Sequence, residues 1–530
     1  MKMPPNQNKN YGLIPQVGIQ RSVFPLDHDH KTMFDPDYLI PFYIDEVLPG
    51  DTFNVDCTLF IRMTSALNVP IMDNLYLDTF HFYVPERILW DNFKKMMGER
   101  SSPADSISYT MPQIVADGAT GFTTGSLSDY FGLPIKVNSL SVRASWHRAY
   151  NLIWNEWFRD QNLQVPVVVD KDNGPDLITD YVLKKRGKRP DYFTCAATAP
   201  QKGTAVSLPL GTTAPVIMDP ALAAAGGLLW ESGADPTDFT INTAVGTTTI
   251  ALSANSPNTA ALRFGPDSNA VADLTNATAA TINALRLAFQ MQEVLEIDAR
   301  SGTRYPEMIK AHFNVISPDA RQQRPEFLGG TSTPIQISAV PQTSAAAGQP
   351  TPLGKLGAFA LGTNVRDGFT KSFTEHGVII SLCMVRADIT YQQGLPRMFS
   401  RSTRLDFALP ALTQIGEQAV LNKEIWCDGS ANDNLVFGYQ ERFAEYRTRN
   451  SKITGQLRSD ATTPLHIWHL AQDFASLPAL DTTFITETMP ITRIEAVTTE
   501  PAFVMDVFVK GKLVSALPTH GVPFSMRNHF

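Results

Sequence analysis

The stretch from Thr52 to Met63 constrains the fold of this chain more than any other part of the sequence. Phe53, Val55, Cys57, Leu59, Ile61 and Met63 alternate there with Thr52, Asn54, Asp56, Thr58, Phe60 and Arg62. Successive side chains of a strand point to opposite faces, so this period of two predicts a strand with one buried and one wetter face. Phe60 breaks the polar side. Immediately upstream, Val47-Leu48-Pro49-Gly50-Asp51 reads as a type II turn, with Pro at its second position and Gly supplying the positive φ at its third. Residues 75–84 are apolar or aromatic on both faces, as expected of a more central strand. Further strands are predicted over 376–391, 434–446, 491–497 and 502–509.

Two segments change period. In 140–160, Trp146, Tyr150, Ile153, Trp154 and Trp157 recur at three- and four-residue steps, with Arg143, His147, Asn151, Asn155 and Arg159 between them. That is an amphipathic helix. Residues 281–296 form another, carried by Ile282, Leu285, Phe289 and Val294. Strands towards both ends of the chain, with helices and long loops between, predict an antiparallel core whose loops have grown. At 530 residues the chain exceeds the roughly 250–300 at which single cores stop growing, so long insertions or further domains are expected.

Residues 201–280 are dominated by Ala, Thr, Gly, Pro, Ser and Asn, and their only cations are Lys202 and Arg263. Short alternating pieces around Gly246, within 239–252, predict hairpins, so the segment reads as a projecting insertion, with a disordered loop as the alternative. A second Ala/Gly/Pro-rich loop is expected over 341–362. The resulting plan is an N-terminal arm (1–45), a first part of the core with an inserted helix (46–200), a surface insertion (201–282) and a second part of the core with loops (283–530).

Composition narrows the function classes. Charged residues make up 18% of the chain, against about 25% in ordinary globular proteins, which points to surface hidden against partner subunits. The formal net charge of -8 argues against a general nucleic-acid-coating protein. Cys57, Cys195, Cys383 and Cys427 lie far apart without a Cys-x-x-Cys pair, and read as buried free thiols. The polar start of the chain is not that of a signal peptide, and no run of 18 apolar residues predicts a membrane span.

Catalytic signals are poor. Gly354-Lys355 and Gly511-Lys512 lack the rest of a phosphate-binding loop, and neither a Gly-x-Ser-x-Gly elbow nor a His-Glu-x-x-His helix is present. The histidines of Asp27-His28-Asp29-His30 read as surface residues and not as metal ligands. His466 and His469, flanking Trp468, read as core or interface histidines. Neither catalytic nor metal residues are assigned, and no cofactor is expected. The dense basic cluster is Lys184, Lys185, Arg186, Lys188 and Arg189. It is the candidate for contact with DNA through salt-sensitive phosphate interactions, with Tyr181, Tyr192 and Phe193 nearby for base stacking. A solvated loop or a subunit contact is the alternative. Arg397, Arg401 and Arg404, beside Met398 and Phe399, suit inter-subunit salt bridges equally well.

Several stretches, taken in order, resemble the major capsid proteins of gokushovirus-type microviruses, small icosahedral single-stranded DNA bacteriophages of the Microviridae. They include Asp45-Glu46-Val47-Leu48-Pro49-Gly50-Asp51-Thr52-Phe53, Asn155-Glu156-Trp157-Phe158-Arg159-Asp160, Asp298-Ala299-Arg300-Ser301-Gly302-Thr303-Arg304-Tyr305, Gln323-Arg324-Pro325-Glu326-Phe327-Leu328-Gly329-Gly330, Arg386-Ala387-Asp388-Ile389-Thr390-Tyr391 and Trp468-His469-Leu470-Ala471-Gln472. Ser301 stands where the family usually has Gly, and 195–199 depart from its pattern.

The resemblance implies a mainly β protein, an eight-stranded antiparallel jelly roll with long inserted loops and a few helices. It implies a structural, non-enzymatic role in the virion, with about sixty copies closing into a T=1 shell assembled in the bacterial cytoplasm. It also implies that the insertion forms threefold protrusions used in host attachment. The implied partners are copies of the chain, a circular single-stranded DNA genome, an internal scaffolding protein, a DNA pilot protein, a small basic DNA-binding protein and a host cell-surface receptor. A β-sandwich hydrolase or carbohydrate-binding module is the rival reading. It would require paired carboxylates facing a cleft.

Overall fold

A computed structural model describes residues 21–206, 282–343 and 354–519, together with the backbone of Val216–Met218, Leu229–Ser232, Asp235–Thr240, Leu262–Phe264 and Ala270–Ala272. The chain divides into two compact units: residues up to Pro200 together with those from Asp298 onward, and Gln201–Ile297.

The first unit is built on ten antiparallel strands: β1 (Ser22–Pro25), β2 (His28–Phe34), β3 (Ile40–Val47), β4 (Thr52–Met63), β5 (Leu75–Pro85), β6 (Glu326–Gly329), β7 (Ser332–Pro341), β8 (Leu356–Ser372), β9 (Gly377–Ala387) and β10 (Phe503–Ser515). Eight of them follow one path, β1-β10-β4-β8-β7-β5-β9-β3, while β2 adds to β10 and β6 to β5. The strand β7 makes the corner. Its first half pairs with β5 (Ser332 opposite Asp78) and its second half with β8 (Pro341 opposite Leu356), so one strand belongs to both sheets, as at the edges of packed β layers. The result is the curled, jelly-roll type of sheet that the resemblance implied.

The alternation in β4 does what it predicts. Phe53, Val55, Cys57, Leu59, Ile61 and Met63 are buried beside Phe503, Met505, Val507 and Val509 of the neighbouring β10, in one core with Ile379, Cys383 and Val385 of β9. Each such side chain contributes roughly 1.5–3 kcal/mol by leaving water. All of β9 is buried, because its other face, Val378, Ile380, Leu382 and Met384, is covered by a second cluster. That cover is α1 (Ser145–Ile153), which continues into a wider turn, Trp154–Phe158, and contributes Tyr150, Ile153, Trp154 and Phe158. A strand covered on both faces reads as a continuous apolar run. The turn before β4 forms as expected, with Gly50 at φ 89° and the amide of Asp51 donating to Leu48 O at 3.0 Å.

Several expectations are corrected. The segment 1–45, expected as an arm, belongs to the sheet from Ser22 onward: β1 and β2 both pair with β10, and β3 closes the far edge on β9. The loop expected over 341–362 gives way to β8 from Leu356. Its inward residues there are Ala358, Ala360 and Gly362, small enough to meet Ile61 and Ile335 closely, while Phe359 points outward. Residues 491–497 are not a strand; Ile491–Arg493 is a 3-10 turn after Pro490, and three-residue spacing puts Ile491 and Ile494 into the core together. The polar side of α1 is also covered. His147 bonds Ser128 at 2.9 Å, and Asn151 donates to Val168 O and Asp180 O. Cys57 and Cys383 are buried, whereas Cys195 and Cys427 are exposed; all four are free. Residues 434–446 hold a shorter strand, Val436–Glu441, paired with Glu417–Leu421.

The second unit contributes the five short strands named above and most of α2 (Ile282–Ser301). Leu229–Ser232 lies between Asp235–Thr240 and Leu262–Phe264, and Val216–Met218 pairs with Ala270–Ala272. The hairpin expected around Gly246 lies outside the described residues. No helix among the described residues is long and apolar enough to cross a membrane.

Candidate nucleic-acid and assembly surfaces

The basic cluster is a strap drawn between two other segments. Its backbone bonds Leu39 through Lys184 O, Glu487 through Arg186 O and Ile485 through the Lys188 amide. The indole of Trp154 donates to Lys185 O at 2.9 Å. This pins the side chains. Lys185 Nζ lies 3.7 Å from Asp37 and over the Tyr38 ring. Arg186 lies 3.5 Å from Asp78, a carboxylate it shares with Arg386, and stacks on Phe80 and Phe158. Lys188 is buried with its ammonium 4.4 Å from the Phe484 ring centroid, and burial lowers its pKa. Lys184 is half-buried near Trp154, its pKa lowered by burial. Arg189 is exposed. The cluster is therefore not five equivalent solvated cations: Lys185, Arg186 and Lys188 are held by the chain itself, while Lys184 and Arg189 keep access to solvent. Of the aromatics expected to help, Tyr181, Tyr192 and Phe193 are all buried.

Beneath the strap sits Glu487. Burial pushes its carboxyl up to about 7, helped by nearby Asp37 and opposed by Lys188 and Arg186.

A second cationic region was not singled out in the sequence. Residues 442–458 hold Arg442, Arg447, Arg449, Lys452 and Arg458 against one carboxylate, Glu445. Their irregular spacing gives no periodic signal, and local charge density is the feature that would have found them. Arg449, Lys452 and Arg458 border an open cleft of about 580 Å³ with Arg397, Arg401 and Phe399. Arg397 and Arg401 do not project outward for a neighbouring subunit. Arg397 bonds Glu424 at 2.9 Å and Arg401 bonds Glu445 at 3.0 Å. The two carboxylates in the cleft thus have arginines of their own, unlike an acid/base pair facing a substrate.

The core holds a Ser-His-Asp set, Ser381, His81 and Asp367, linked at 2.7 and 3.3 Å. All three are fully buried under Phe42 and Phe369, so the arrangement is a structural network out of reach of any substrate. His469 is buried and bonds Leu457 O, as expected of a core histidine. His28 and His30 bond backbone carbonyls of Leu26 and Phe42. Among the described residues no group of three or more His, Cys, Asp or Glu is placed to hold a metal ion.

The outer face of the β4–β10 pair carries exposed apolar rings. Phe60 and Phe508 are diagonal neighbours there, Phe60 opposite Asp506 and Phe508 opposite Thr58, and each is more than two-fifths exposed. Exposed aromatics on a sheet face are surface that a partner can cover.

A loop-rich jelly roll with apolar rings on its outer sheet face is a β-sandwich of the kind found in viral shells. Comparison with known proteins gives the family. The chain belongs to the capsid protein (F protein) family, whose model matches residues 13–525. It is 44% identical to Capsid protein VP1 of Bdellovibrio phage phiMH2K, over 99% of both chains. It is 38% identical to Capsid protein VP1 of Chlamydia phage 1 over 98% of both, and 37% identical to that of Spiroplasma virus 4 over 88% of both. The chain is accordingly a structural, non-enzymatic capsid component of a microvirus particle.

Proposed function

We propose that about sixty copies of this chain close into a T=1 icosahedral shell around circular single-stranded DNA, in line with closed symmetry among identical subunits. The observation that carries this reading is the near full-length match to capsid proteins VP1, joined to a jelly roll whose outer sheet face exposes Phe60 and Phe508. Shell contacts gain roughly 25 cal/mol per Å² of apolar surface covered, less the cost of ordering, so many weak contacts close reversibly. Lys184 and Arg189 are the cations of the strap available to DNA or the lumen; Lys185, Arg186 and Lys188 hold the strap in position. The net charge of -8 supports a separate small basic protein that neutralises the genome. An internal scaffolding protein and a DNA pilot protein complete the expected partners.

Residues 201–282 are the insertion that would form threefold protrusions and meet a host receptor. Their polar composition, nearly free of cations, supports a solvated outer position. Assembly is tested by gradient-purified particles from infected cells: the chain is expected as their main protein, with nuclease-protected single-stranded DNA inside. Its absence from such particles would refute the reading. Attachment is tested by replacing 201–282 with a short linker. Particles should still form and fail to adsorb to the host; normal adsorption would refute this role.

A further inference from the structure

The cleft bordered by residues 442–458 combines two chemistries. Its inner wall is aromatic: Tyr192 and Tyr391 belong to a buried cluster with Phe193, Phe437 and Phe484. At its rim, Phe399 is 68% exposed and Tyr446 41% exposed, with the Arg401 guanidinium stacked 4.2 Å from the Tyr446 ring centroid. The remaining rim is cationic. Arg397 and Arg401 are neutralised by Glu424 and Glu445. Arg449 and Arg458 donate to backbone carbonyls, and among the described residues neither they nor Lys452 forms an ion pair with a carboxylate. The rim loop is tied down, since Gln392 bonds both the hydroxyl and the amide of Ser459. The volume, about 580 Å³, falls within the roughly 300–1,000 Å³ of small-ligand sites.

We propose that this cleft takes one nucleotide of the enclosed single strand, with its base stacked on Phe399 and Tyr446 and its phosphates on Arg449, Lys452 and Arg458. The proposal rests on the shell reading above and adds a specific seat for the strand. A sequence-tolerant strand site needs what the cleft offers, a π-face for any base and unpaired cations for the backbone. An acidic peptide would use the cations and leave the rings uncovered. A duplex has no unstacked base to offer.

The test uses purified full-length chain and an oligothymidylate of about ten nucleotides, a length in the range of single-strand sites. The double variant Arg449→Ala/Lys452→Ala should weaken binding at least tenfold. It should also lower the salt slope by about 1.4, at roughly 0.7 per phosphate contact. Phe399→Ala should weaken binding roughly tenfold with the slope unchanged, the signature of lost stacking, and Phe399→Trp should restore it. Unchanged affinity in either variant, or equal competition by a duplex, by inorganic phosphate or by an oligoglutamate of matched charge, would overturn the proposal. Ultraviolet crosslinking of intact particles separates it from the shell reading. Crosslinks at Phe399 or Tyr446 support the seat. Particles that hold DNA but crosslink elsewhere remove the seat and leave the shell, and the lack of any particle removes the shell reading itself.

Discussion

His81 Nε2 lies 3.3 Å from Asp367 Oδ1 in the middle of the sheet, although the two strands that carry them, β5 and β8, are not paired at this point. A bulge brings them together. Between Asn364 and Asp367 the register of β8 against β4 slips, with Arg366 at φ 66°, and a bulge re-aims the side chains that follow. Asp367 thus turns inward. Burial would raise its pKa, but the hydrogen bond and charge of His81, with the nearby Thr79 and Thr331 hydroxyls, outweigh burial and hold it below the ordinary carboxylate range.

Removing one member of this network strands the other in the core. Asp367→Ala should lower subunit stability by about 3–5 kcal/mol, as for other broken buried pairs, measured by urea unfolding at pH 7. Because the folded-state pKa is depressed, Asp367's contribution is present above the unfolded value near 4 and is lost as pH falls through the lower folded value. Asp367→Asn should therefore flatten the acid limb of the stability curve. An unchanged acid limb would count against the network.

Glu487 has the opposite sign. Its folded-state pKa of about 7 exceeds the unfolded value near 4.5, so its stabilising contribution is full below about pH 4.5 and is lost as pH rises towards 7. Glu487→Gln should abolish that decline and raise stability at pH 8 relative to the native chain, by up to about 3 kcal/mol. Parallel pH profiles for the two proteins would contradict this.

Arg148 is fully buried and bonds Asp176 at 2.5 and 2.7 Å while donating to Leu89 O and Asp172 O. Arg148→Ala should cost about 3–5 kcal/mol by leaving Asp176 unpaired. The double replacement Arg148→Met/Asp176→Leu should recover much of it. Thermal unfolding of the three chains checks the order.

Phe60 and Phe508 have no comparable role in the core. Phe60→Thr, a strand-compatible polar replacement opposite Asp506, should change subunit stability by no more than about 0.5 kcal/mol yet sharply reduce particle yield in velocity gradients. Normal yield would place the assembly contact elsewhere.

The fold was partly legible in the sequence, for reasons visible in individual strands. Alternation marked β4, and apolar or aromatic residues on both faces over 75–84 marked β5. The spacing of Tyr150, Ile153 and Trp154 marked α1. The strand β8 was hidden because its inward positions are small or polar, Ala358, Ala360, Asn364 and Asp367, and its bulge breaks the period. The strands β2 and β3 were hidden by polar residues and Pro41. The Lys184–Arg189 cluster was legible as charge, but its counter-ions Asp37 and Asp78 lie far upstream and only the fold brings them close. The cleft at 442–458 was missed because its cations follow no pattern.

Cryo-electron microscopy of particles purified from infected cells tests the central claim most directly. The account predicts closed icosahedral shells in which the β1–β10 sheet of this chain fits the density at about sixty equivalent positions. Particles whose wall is made by another protein, with this chain recovered as a free monomer, would contradict it.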